Sequence, residues 1–538
     1  MDTSMPTKLN LAISAFAAIS VLALLVISWG PGPEPAEAAT ACDPGTAGCY
    51  LVNTTDGEVD ADGPPLLGCA DGHCTLDDAI RASMRDGIPS RIHFAIPAAE
   101  CPGNLCTIFP AATYPAIGRT GENGTTIDGT TQGCAGGQCI TIDGTQMSGN
   151  GCCRGLVIAS SHNVVRGIHI ANLPSLPDSA GILVFNDTPG GISRGNIIEG
   201  NRISNVGKGI QVAVELSAGK QLGNSIRQNL IVNTDRAIQV STASYNASEV
   251  RGTWVAGNTI RGARSAGVLL QSIGGGHVVN TAIVNNLIVS GPGTGIRLQA
   301  TGCRAISPIC VQLGTPSQIH GNVIRNNAIR AMGGPGIWLY AHNAGARVYA
   351  NRVQANNIHA NGHHGIYLNR AGGAPNGSNG NVFSRNSLSA NRFLGINLGS
   401  GNKVGDGPKG GAGCIASAGG SSGGGTQVVN GNVACPEIRA VRRSWTSCRV
   451  EGRAQRGAII EVFVATPGPG DSAGASVAHG EGTHYAATDG VVRTRVNGAW
   501  TAIIPRVPPG SFLTATATTA VGTSEFAANR LTAPGCVL

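Results

Sequence analysis

A short segment near residue 365 carries side chains that can transfer protons. It contains His363, His364, Tyr367 and Arg370. Imidazole, phenol and guanidinium groups can act as general acid or base on a polymeric substrate, and lyase chemistry of this kind needs no pair of carboxylates. The structural alternative is a solvated turn with a surface aromatic side chain. We favour that alternative, predict no catalytic residue, metal or cofactor, and keep a polysaccharide lyase or related carbohydrate-active enzyme as the second hypothesis.

Carboxylates are missing from a long part of the sequence. Residues 251–405 include no Asp or Glu, although they include twelve arginines. Glycosidase-type hydrolysis needs two carboxyl groups about 5 to 10 Å apart. Residues 155–250 contain six acids, but Glu199 and Asp235 are predicted to lie on different sides of the fold. The pattern therefore argues against paired-acid hydrolysis, and against carboxylate-bound calcium in the C-terminal half.

The elements that must position these side chains are given by a repeat of 28 to 30 residues, from about Gly155 to Leu398. Each unit has an Asn-x-Ile or Asn-x-Leu step, followed by a Gly-Ile-x-Leu-like step. The Asn steps begin at Asn201, Asn229, Asn258, Asn286, Asn327, Asn356 and Asn386. Apolar residues alternate with a period of two, which is typical of short strands with alternate side chains turned inward.

Such strands stack in register if the chain completes one helical circuit per repeat, with successive circuits about 4.8 Å apart. The inward Ile, Val and Leu side chains then form the core. The recurrent Asn residues form a hydrogen-bonded ladder in one turn, a structural rather than a catalytic role. Glycine supplies the backbone angles that the turns require. The repeat therefore predicts an all-β chain, a right-handed parallel β-helix with a single-stranded solenoid core.

The same register predicts which side chains point outward. On one face it aligns rings, amides and a guanidinium from successive repeats, namely Gln271, Arg297, Gln299, Trp338, Tyr340, Tyr367, Asn369 and Asn397. Aromatic rings stack on the apolar faces of sugars, amides bond hydroxyl groups, and Arg engages carboxylate or sulfate. This outward stripe predicts a neutral or anionic polysaccharide or cell-surface glycan as the partner. The structural alternative is an aromatic ladder that only stiffens the sheet.

Composition and the N-terminus indicate export. The chain has 80 Gly and only 12% charged residues, yet 41% apolar residues, which excludes general disorder. Lys8 precedes an apolar run over 9–27, and Ala36-Glu37-Ala38 fits a cleavage site. Residues 1–38 are predicted to be a signal peptide or signal anchor. We expect a secreted or cell-surface monomer that meets a membrane only through this segment if it stays uncleaved, with no nucleic acid partner.

Cysteine usage agrees with an oxidising compartment. The sequence has 16 Cys, most of them in near-neighbour pairs without the spacing of zinc modules. The predicted local disulfides are Cys42 with Cys49, Cys69 with Cys74, Cys101 with Cys106, Cys134 with Cys139, and Cys303 with Cys310. Near the C-terminus, Cys448 with Cys536 and Cys414 with Cys435 are further candidate pairs.

The segment Cys74-Thr75-Leu76-Asp77-Asp78-Ala79-Ile80-Arg81-Ala82 resembles the CSLREA motif at the start of many secreted bacterial β-helix proteins. It departs from that motif at Thr75, Asp77 and Asp78. Two Thr-Ile-Asp-Gly copies, at residues 126–129 and 141–144, also match such proteins. The resemblance covers about residues 50–400 and implies a pectin-lyase-like fold and export. The family has no single assigned activity.

These observations predict the following domain organisation. A disulfide-rich N-terminal cap with the first turns spans 39–154, and the β-helix repeats span 155–400. A Gly/Ser-rich linker spans 401–434, and alternating strands in 435–538 resemble an immunoglobulin-like β-sandwich. The first functional hypothesis is a non-catalytic surface or secreted protein that binds glycans or mediates adhesion. A purely structural envelope protein is the third.

Overall fold

A computed structural model of the chain describes residues 42, 46–57, 69, 72–119, 121–134, 138–148, 153–186, 188–214, 218–243, 248–302, 304–306, 309–311, 316–371, 378–398, 430–466, 481–486, 490–533 and 536. The predicted signal segment 1–38 and residues 401–429 of the predicted linker lie outside these ranges. Within them, no helix is long and apolar enough to cross a membrane.

Four parallel sheets, named here A to D, run along the body of the molecule. Six successive circuits contribute strands in the order D, A, B, C, and in the described residues the circuits before and after them have no strand in sheet D. Sheet A consists of Cys49–Val52, Arg91–Phe94, Thr126–Asp128, Val164–Arg166, Ile197–Glu199, Ser225–Arg227, Trp254–Ala256, Ala282–Val284, Val323–Arg325, Arg352–Gln354 and Val382–Ser384. Sheet B consists of Cys106–Ile108, Ile140–Asp143, Ile168–Ala171, Arg202–Ser204, Leu230–Val232, Thr259–Arg261, Leu287–Val289, Ala328–Arg330, Asn357–His359 and Ser387–Ser389.

Sheets C and D complete the circuit. Sheet C consists of Arg154–Ile158, Ala180–Asn186, Lys208–Val214, Arg236–Ala243, Ala266–Ile273, Thr294–Thr301, Ile337–His342, Ile366–Ala371 and Ile396–Leu398. Sheet D consists of Ile192–Arg194, Lys220–Leu222, Glu249–Arg251, His277–Val279, Ser317–His320 and Ala346–Tyr349. The body is therefore a parallel β-helix, as the repeat predicted. A separate antiparallel hairpin, Arg304–Ile306 with Ile309–Val311, lies within the one longer repeat.

Successive circuits are in register, residue for residue. In sheet C, Ile210 pairs with Ile238, which pairs with Val268, and this pairs with Ile296. Their side chains are fully buried in a continuous core of Ile, Val and Leu. The period-two alternation of the sequence is thus the alternation between core and outer surface.

The residues of the predicted Asn ladder lie between sheets A and B. It comprises Asn201, Asn229, Asn258, Asn286, Asn327, Asn356 and Asn386, all buried. The Nδ2 of Asn286 donates to Oδ1 of Asn327 at 2.9 Å, and the backbone N–H of Asn286 donates to the same oxygen at 2.9 Å. The same pattern links Asn327 to Asn356. Each side chain thus satisfies backbone groups that the turn leaves unpaired.

A second Asn ladder, not predicted from the sequence, lies between sheets D and A. It contains Asn163, Asn196 and Asn224, then Asn322, Asn351, Asn381 and Asn430. A short third ladder between sheets B and C joins Asn361 to Asn391. The residue just before each ladder Asn commonly has positive φ, as at Gly195 and Asn326. A left-handed residue followed by an inward Asn is therefore the common corner of this solenoid.

The N-terminal region adds the first strands and the only α-helix in the described ranges, Leu76–Ser83. Thr75 caps this helix: its hydroxyl accepts from the backbone of Asp78, whose side chain bonds back to the Thr75 N–H. Short 3-10 turns lie at Ala98–Glu100, Pro102–Asn104, Gly129–Gln132 and Gly144–Gln146.

Disulfides hold the loops of this region. Four of the predicted pairs are present: Cys42–Cys49, Cys69–Cys74, Cys101–Cys106 and Cys134–Cys139. The predicted pair of Cys303 with Cys310 lies outside the described side chains, as does Cys414. Cys435 is disulfide-bonded.

The C-terminal segment is a sandwich of two antiparallel sheets. One consists of Glu437–Ser444, Ser447–Arg453 and Ala499–Pro505. The other consists of Ile459–Thr466, Glu481–Tyr485, Val492–Arg493, Phe512–Thr519, Gly522–Thr523 and Arg530–Leu531. Cys448 and Cys536 lie in its core as free thiols, so a disulfide between them is not formed in the structure. The Cys448 thiol instead donates to the backbone carbonyl of Cys536 at 3.2 Å.

This sandwich closes the C-terminal end of the β-helix. The third ladder ends on Glu481, whose carboxylate accepts the side chain and backbone N–H of Asn391. Glu461 accepts the backbone N–H of Arg385 at 2.9 Å, and Glu525 accepts that of Leu398 at 2.7 Å. A 3-10 turn, Asn430–Asn432, leads into the sandwich. Side-chain oxygens of the sandwich thus accept from backbone N–H groups at the end of the solenoid, where a further circuit would otherwise supply the acceptors.

Replacing Asn327 by Ala is expected to lower the free energy of unfolding by about 3 kcal/mol. The change removes the acceptor of two Asn286 donors and leaves the carbonyl of Ile283 without its amide. Urea denaturation followed by circular dichroism measures the loss. The control is Asn357→Ala at an exposed position on the next circuit, which should change stability by less than about 0.5 kcal/mol. Equal losses in the two variants would contradict a structural role for the ladder.

Glu525→Gln is expected to stabilise the chain at neutral and alkaline pH, and not at acid pH. Burial raises the pKa of Glu525 from its ordinary value of 4.5 to about 7. Because the folded pKa is raised, stability present below pH 4.5 is lost as the pH rises through about 7. Gln keeps an acceptor for Leu398, so the free energy of unfolding of the variant should match that of the native chain at pH 4 and exceed it by about 3 kcal/mol at pH 8. Urea midpoints at both pH values, with exposed Glu437→Gln as control, test this; parallel pH profiles would contradict it.

Candidate functional site

The outward stripe of sheet C is built by the pairing that the repeat predicted. Arg297 pairs with Trp338, Trp338 with Tyr367, and Tyr367 with Asn397. In the neighbouring lane, Gln271 pairs with Gln299, Gln299 with Tyr340, and Tyr340 with Asn369. All eight residues predicted for the stripe therefore stand in two adjacent lanes. Three circuits contribute one residue to each lane, and the circuits of Gln271 and Asn397 contribute one residue each.

Trp338 is the centre of the stripe. The Arg297 guanidinium lies 4.3 Å from the centroid of its ring, within cation–π distance. Tyr340 lies 5.1 Å away between centroids, and Tyr367 lies 6.1 Å away with the two planes 20° apart. The indole N–H donates to Oδ1 of Asn369 at 2.8 Å. Four partners therefore fix the orientation of this ring.

Exposure along the stripe differs from the expectation. Arg297, Gln271, Gln299, Trp338 and Tyr340 are half-buried and reach solvent. In contrast, Tyr367 is 7% exposed, Asn397 3% and Asn369 not at all. The sequence predicted that all eight would be exposed, which is wrong for these three. Asn369 hydrogen-bonds the ring of Trp338, and Tyr367 packs between that ring and neighbouring histidines.

The N-terminal end of the same face is also closed to solvent. Leu183 and Ala213 are buried in a small apolar cluster on sheet C, and Gln211 and Gln239 are buried next to it. The Gln239 amide donates to Oε1 of Gln271 at 3.3 Å. The accessible part of the stripe therefore extends from Gln271 to Tyr340, with an amide end and an aromatic end.

The histidine segment packs as an aromatic cluster rather than a solvated turn, so that expectation was wrong. His364 is 3% exposed. Its ring lies 5.1 Å from Tyr367, and His363 lies 5.0 Å from Phe393. The side-chain amide of Asn397 lies 2.7 Å from Nε2 of His364. The side chain of Arg370 lies outside the described part of the chain.

Burial determines the protonation of both imidazoles. It lowers the pKa of His364 to about 3, with a further contribution from His363. It also lowers the pKa of His363, helped by the charge of Arg392. His364 is thus neutral at physiological pH, but its Nε2 is held by Asn397 and its ring is closed to solvent. A general base must reach the proton it removes, and this geometry gives the catalytic hypothesis little support.

Sequence reasoning missed a second aromatic column, on the outer face of sheet D. The rings of His320 and Tyr349 stack at 4.7 Å with planes 14° apart, and His277 lies 6.4 Å from His320. The Tyr349 hydroxyl donates to Gln318 at 2.7 Å. The two repeat steps recognised in the sequence correspond to strands of sheets B and C, so the register of sheet D was not predicted.

Three acids of the repeat region, Glu199, Asp235 and Glu249, are engaged in ion pairs. On sheet A, Glu199 lies 2.7 Å from Arg227 and 4.0 Å from Arg166, which also pairs with Asp128 at 2.7 Å. Asp235 precedes a strand of sheet C and pairs with its neighbour Arg236. Glu199 and Asp235 therefore lie on different sides of the coil, as predicted. Among the described side chains, no group of three or more His, Cys, Asp or Glu is arranged to hold a metal ion.

Comparison with known proteins gives these similarities. Residues 116–306 match a family model described as periplasmic copper-binding protein (NosD). No curated protein matches the chain. Among solved structures, a mutant of the periplasmic alginate epimerase AlgG is 13% identical with a TM-score of 0.31. The alignment covers 58% of this chain and 65% of that one, so the chain spans less than two thirds of the epimerase.

Two further structures are similar over longer stretches. The A-module of the mannuronan C-5 epimerase AlgE6 from Azotobacter vinelandii is 12% identical, with a TM-score of 0.36 over 66% of this chain and 97% of that one. The tailspike protein of E. coli bacteriophage HK620, solved as a mutant with a pentasaccharide, is 10% identical, with a TM-score of 0.32 over 82% and 75%. The parallel β-helix itself is defined by the strand pairing of this chain.

His364→Gln is expected to make the chain less sensitive to acid. Because the folded pKa of His364 is lowered from 6.5 to about 3, stability present above pH 6.5 is lost as the pH falls toward 3. Between pH 7.5 and pH 4.5, protonation linked to His364 should lower the free energy of unfolding of the native chain by about 2 to 3 kcal/mol. The variant lacks this contribution. Urea midpoints at the two pH values test the difference. The same substitution at exposed His162 is the control, and an unchanged acid loss in His364→Gln would refute the assignment.

Proposed function

We propose that the chain is an exported, non-catalytic protein that binds an extended glycan through the half-exposed part of the sheet C stripe. The observation that carries the proposal is the Arg297–Trp338–Tyr340 arrangement, in which two rings and a guanidinium on adjacent circuits stay partly open to solvent. The disulfides of the N-terminal region and the match to a periplasmic family agree with a location outside the cytoplasm.

Stacking supports a sugar as the ligand. The ring of Trp338 is held by Arg297, Tyr367 and Asn369, so binding costs little side-chain entropy. An aromatic face accepts the C–H surface of a pyranose, and the amides of Gln299 and Gln271 lie one and two circuits away from Trp338. Successive circuits are about 4.8 Å apart. The two lanes therefore repeat their contact points along the solenoid axis, where successive units of a sugar chain can bind.

Charge supports a neutral or acidic glycan over a basic ligand. Residues 251–405 include no carboxylate, so this part of the surface has no anionic group for a cationic polymer. The Arg297 guanidinium is available for a carboxylate or sulfate, to which Arg binds in bidentate fashion. The buried state of His364 argues for binding without turnover.

Trp338→Ala is expected to weaken retention by polysaccharide at least tenfold, about 1.4 kcal/mol. Native gels cast with neutral and acidic polysaccharides measure retardation, and an assay for reducing or unsaturated ends runs on the same samples. The matched control is Trp254→Ala, which removes a half-buried Trp from the outer face of sheet A. Circular dichroism confirms that both variants are folded.

Retardation that is lost only in Trp338→Ala, without new chain ends, is the expected outcome. Release of new ends would overturn the non-catalytic part of the proposal and return attention to the histidine cluster. Equal retardation of both variants would overturn the stripe as the binding site. Retardation with none of the polysaccharides would favour the structural envelope role, with the rings serving only to stiffen sheet C.

A further inference from the structure

The C-terminal sandwich carries one tryptophan that packs against almost nothing. Trp445 lies in the turn between the antiparallel strands Glu437–Ser444 and Ser447–Arg453, and its side chain is 94% exposed. Trp500 in the same sandwich is only 2% exposed. Burial of a ring of this size is worth more than that of most side chains, so the exposed ring can contribute that free energy to contact with a partner.

The same hairpin concentrates positive charge. Residues 437–453 contain five arginines and only two glutamates. Arg442 and Arg449 stand directly opposite each other across the two strands, a placement of like charges that destabilises a sheet. Both share one carboxylate, Glu451, at 3.7 and 2.7 Å. The hairpin therefore keeps an excess of cations beside the exposed ring.

The turn is held rigidly. Arg506 donates from Nη2 to the carbonyl of Trp445 at 2.7 Å. Ser447 pairs with Pro505 on the next strand, and the adjacent Cys448 is buried in the sandwich core. The backbone that carries the ring and the neighbouring guanidinium groups is therefore anchored to the sandwich, and contact with a partner requires little ordering of that backbone.

We propose that this tip, comprising Arg442, Arg443, Trp445, Arg449 and Arg506, docks the protein on an anionic lipid surface. Indole rings prefer the headgroup region, where an apolar body and a polar N–H are both accommodated. Arginines near an anionic leaflet are attracted to its surface potential. A ring projecting from a hairpin turn has no concave wall to enclose a small ligand, but it can enter a fluid interface.

The tip is independent of the sheet C stripe, so the two sites are tested separately. The chain from Ala39 is used, because this form keeps every described strand and lacks the apolar run over 9–27. Sedimentation with vesicles of phosphatidylcholine alone, or with three parts in ten of phosphatidylglycerol, measures partitioning. Brominated phosphatidylglycerol then tests for quenching of tryptophan fluorescence.

Native chain should sediment with the anionic vesicles and be released by high salt, since exposed charges are screened. Trp445→Ala should reduce partitioning at least tenfold and remove the quenching. The double variant Arg442→Gln/Arg443→Gln should reduce it by about fivefold per charge. Matched controls lie at the far end of the same sheet: Val496→Ala, an exposed apolar residue, and Arg453→Gln should partition like the native chain.

Three results would overturn the proposal. Equal partitioning of Trp445→Ala and Val496→Ala would show that the ring takes no part. Partitioning that ignores phosphatidylglycerol would exclude attraction to anionic lipid. Loss of binding in Trp445→Ala to a soluble acidic polysaccharide, with no vesicle binding in the native chain, would make the tip a glycan contact instead. Trp338→Ala should leave vesicle binding unchanged, so failure of the stripe and failure of the tip are distinguishable.

Discussion

The buried amide ladders impose the constraint on which the rest of the molecule depends. Within a ladder, an Asn accepts a backbone N–H from the preceding circuit and donates to the side chain of the next. Asn286 accepts from Asn258 and donates to Asn327 in this way. A shift of one residue in any circuit would place an apolar or outward side chain in the ladder and leave several buried polar groups unpaired. Circuits must therefore stack in register, and corners must recur at fixed positions. The left-handed residues beside the ladders, such as Asn285 and Asn326, follow from this requirement.

In-register stacking also determines how chemistry is displayed. A side chain that points outward in one circuit has neighbours about 4.8 Å away above and below, so like residues form lanes. The Arg297–Trp338–Tyr367 lane and the His320–Tyr349 column are both of this kind. Rings in a lane bury one another, and their exposure falls toward the end of the lane that also carries histidines. The fold thus produces aromatic ladders readily, and solvent access distinguishes those able to bind from those that only pack.

Sequence alone predicted the parts of this structure that depend on local periodicity. The ladder beginning at Asn201, the inward Ile positions and the pairing of Arg297 with Trp338 all follow from repeat length and alternation. The second ladder had a readable signal, because its Asn residues precede the first ladder by five positions, as Asn196 precedes Asn201. The burial of Tyr367 was not predictable, since it depends on packing against side chains from other circuits.

The C-terminal end of the solenoid shows a second limit of prediction from sequence. Glu481 and Glu525 occupy places where the next circuit would supply pairing partners, yet they come from a separate antiparallel sandwich. Nothing in the repeat identifies these two acids, because their role depends on the unpaired strand edges that they contact at the end of the solenoid. The carboxylates described here bond amides or arginines, whereas residues 251–405, which form the later circuits, include no Asp or Glu. Trp338, fixed among partners on that surface, suits a rigid repeating ligand. Trp445, exposed at a cationic turn, suits a surface that deforms around it.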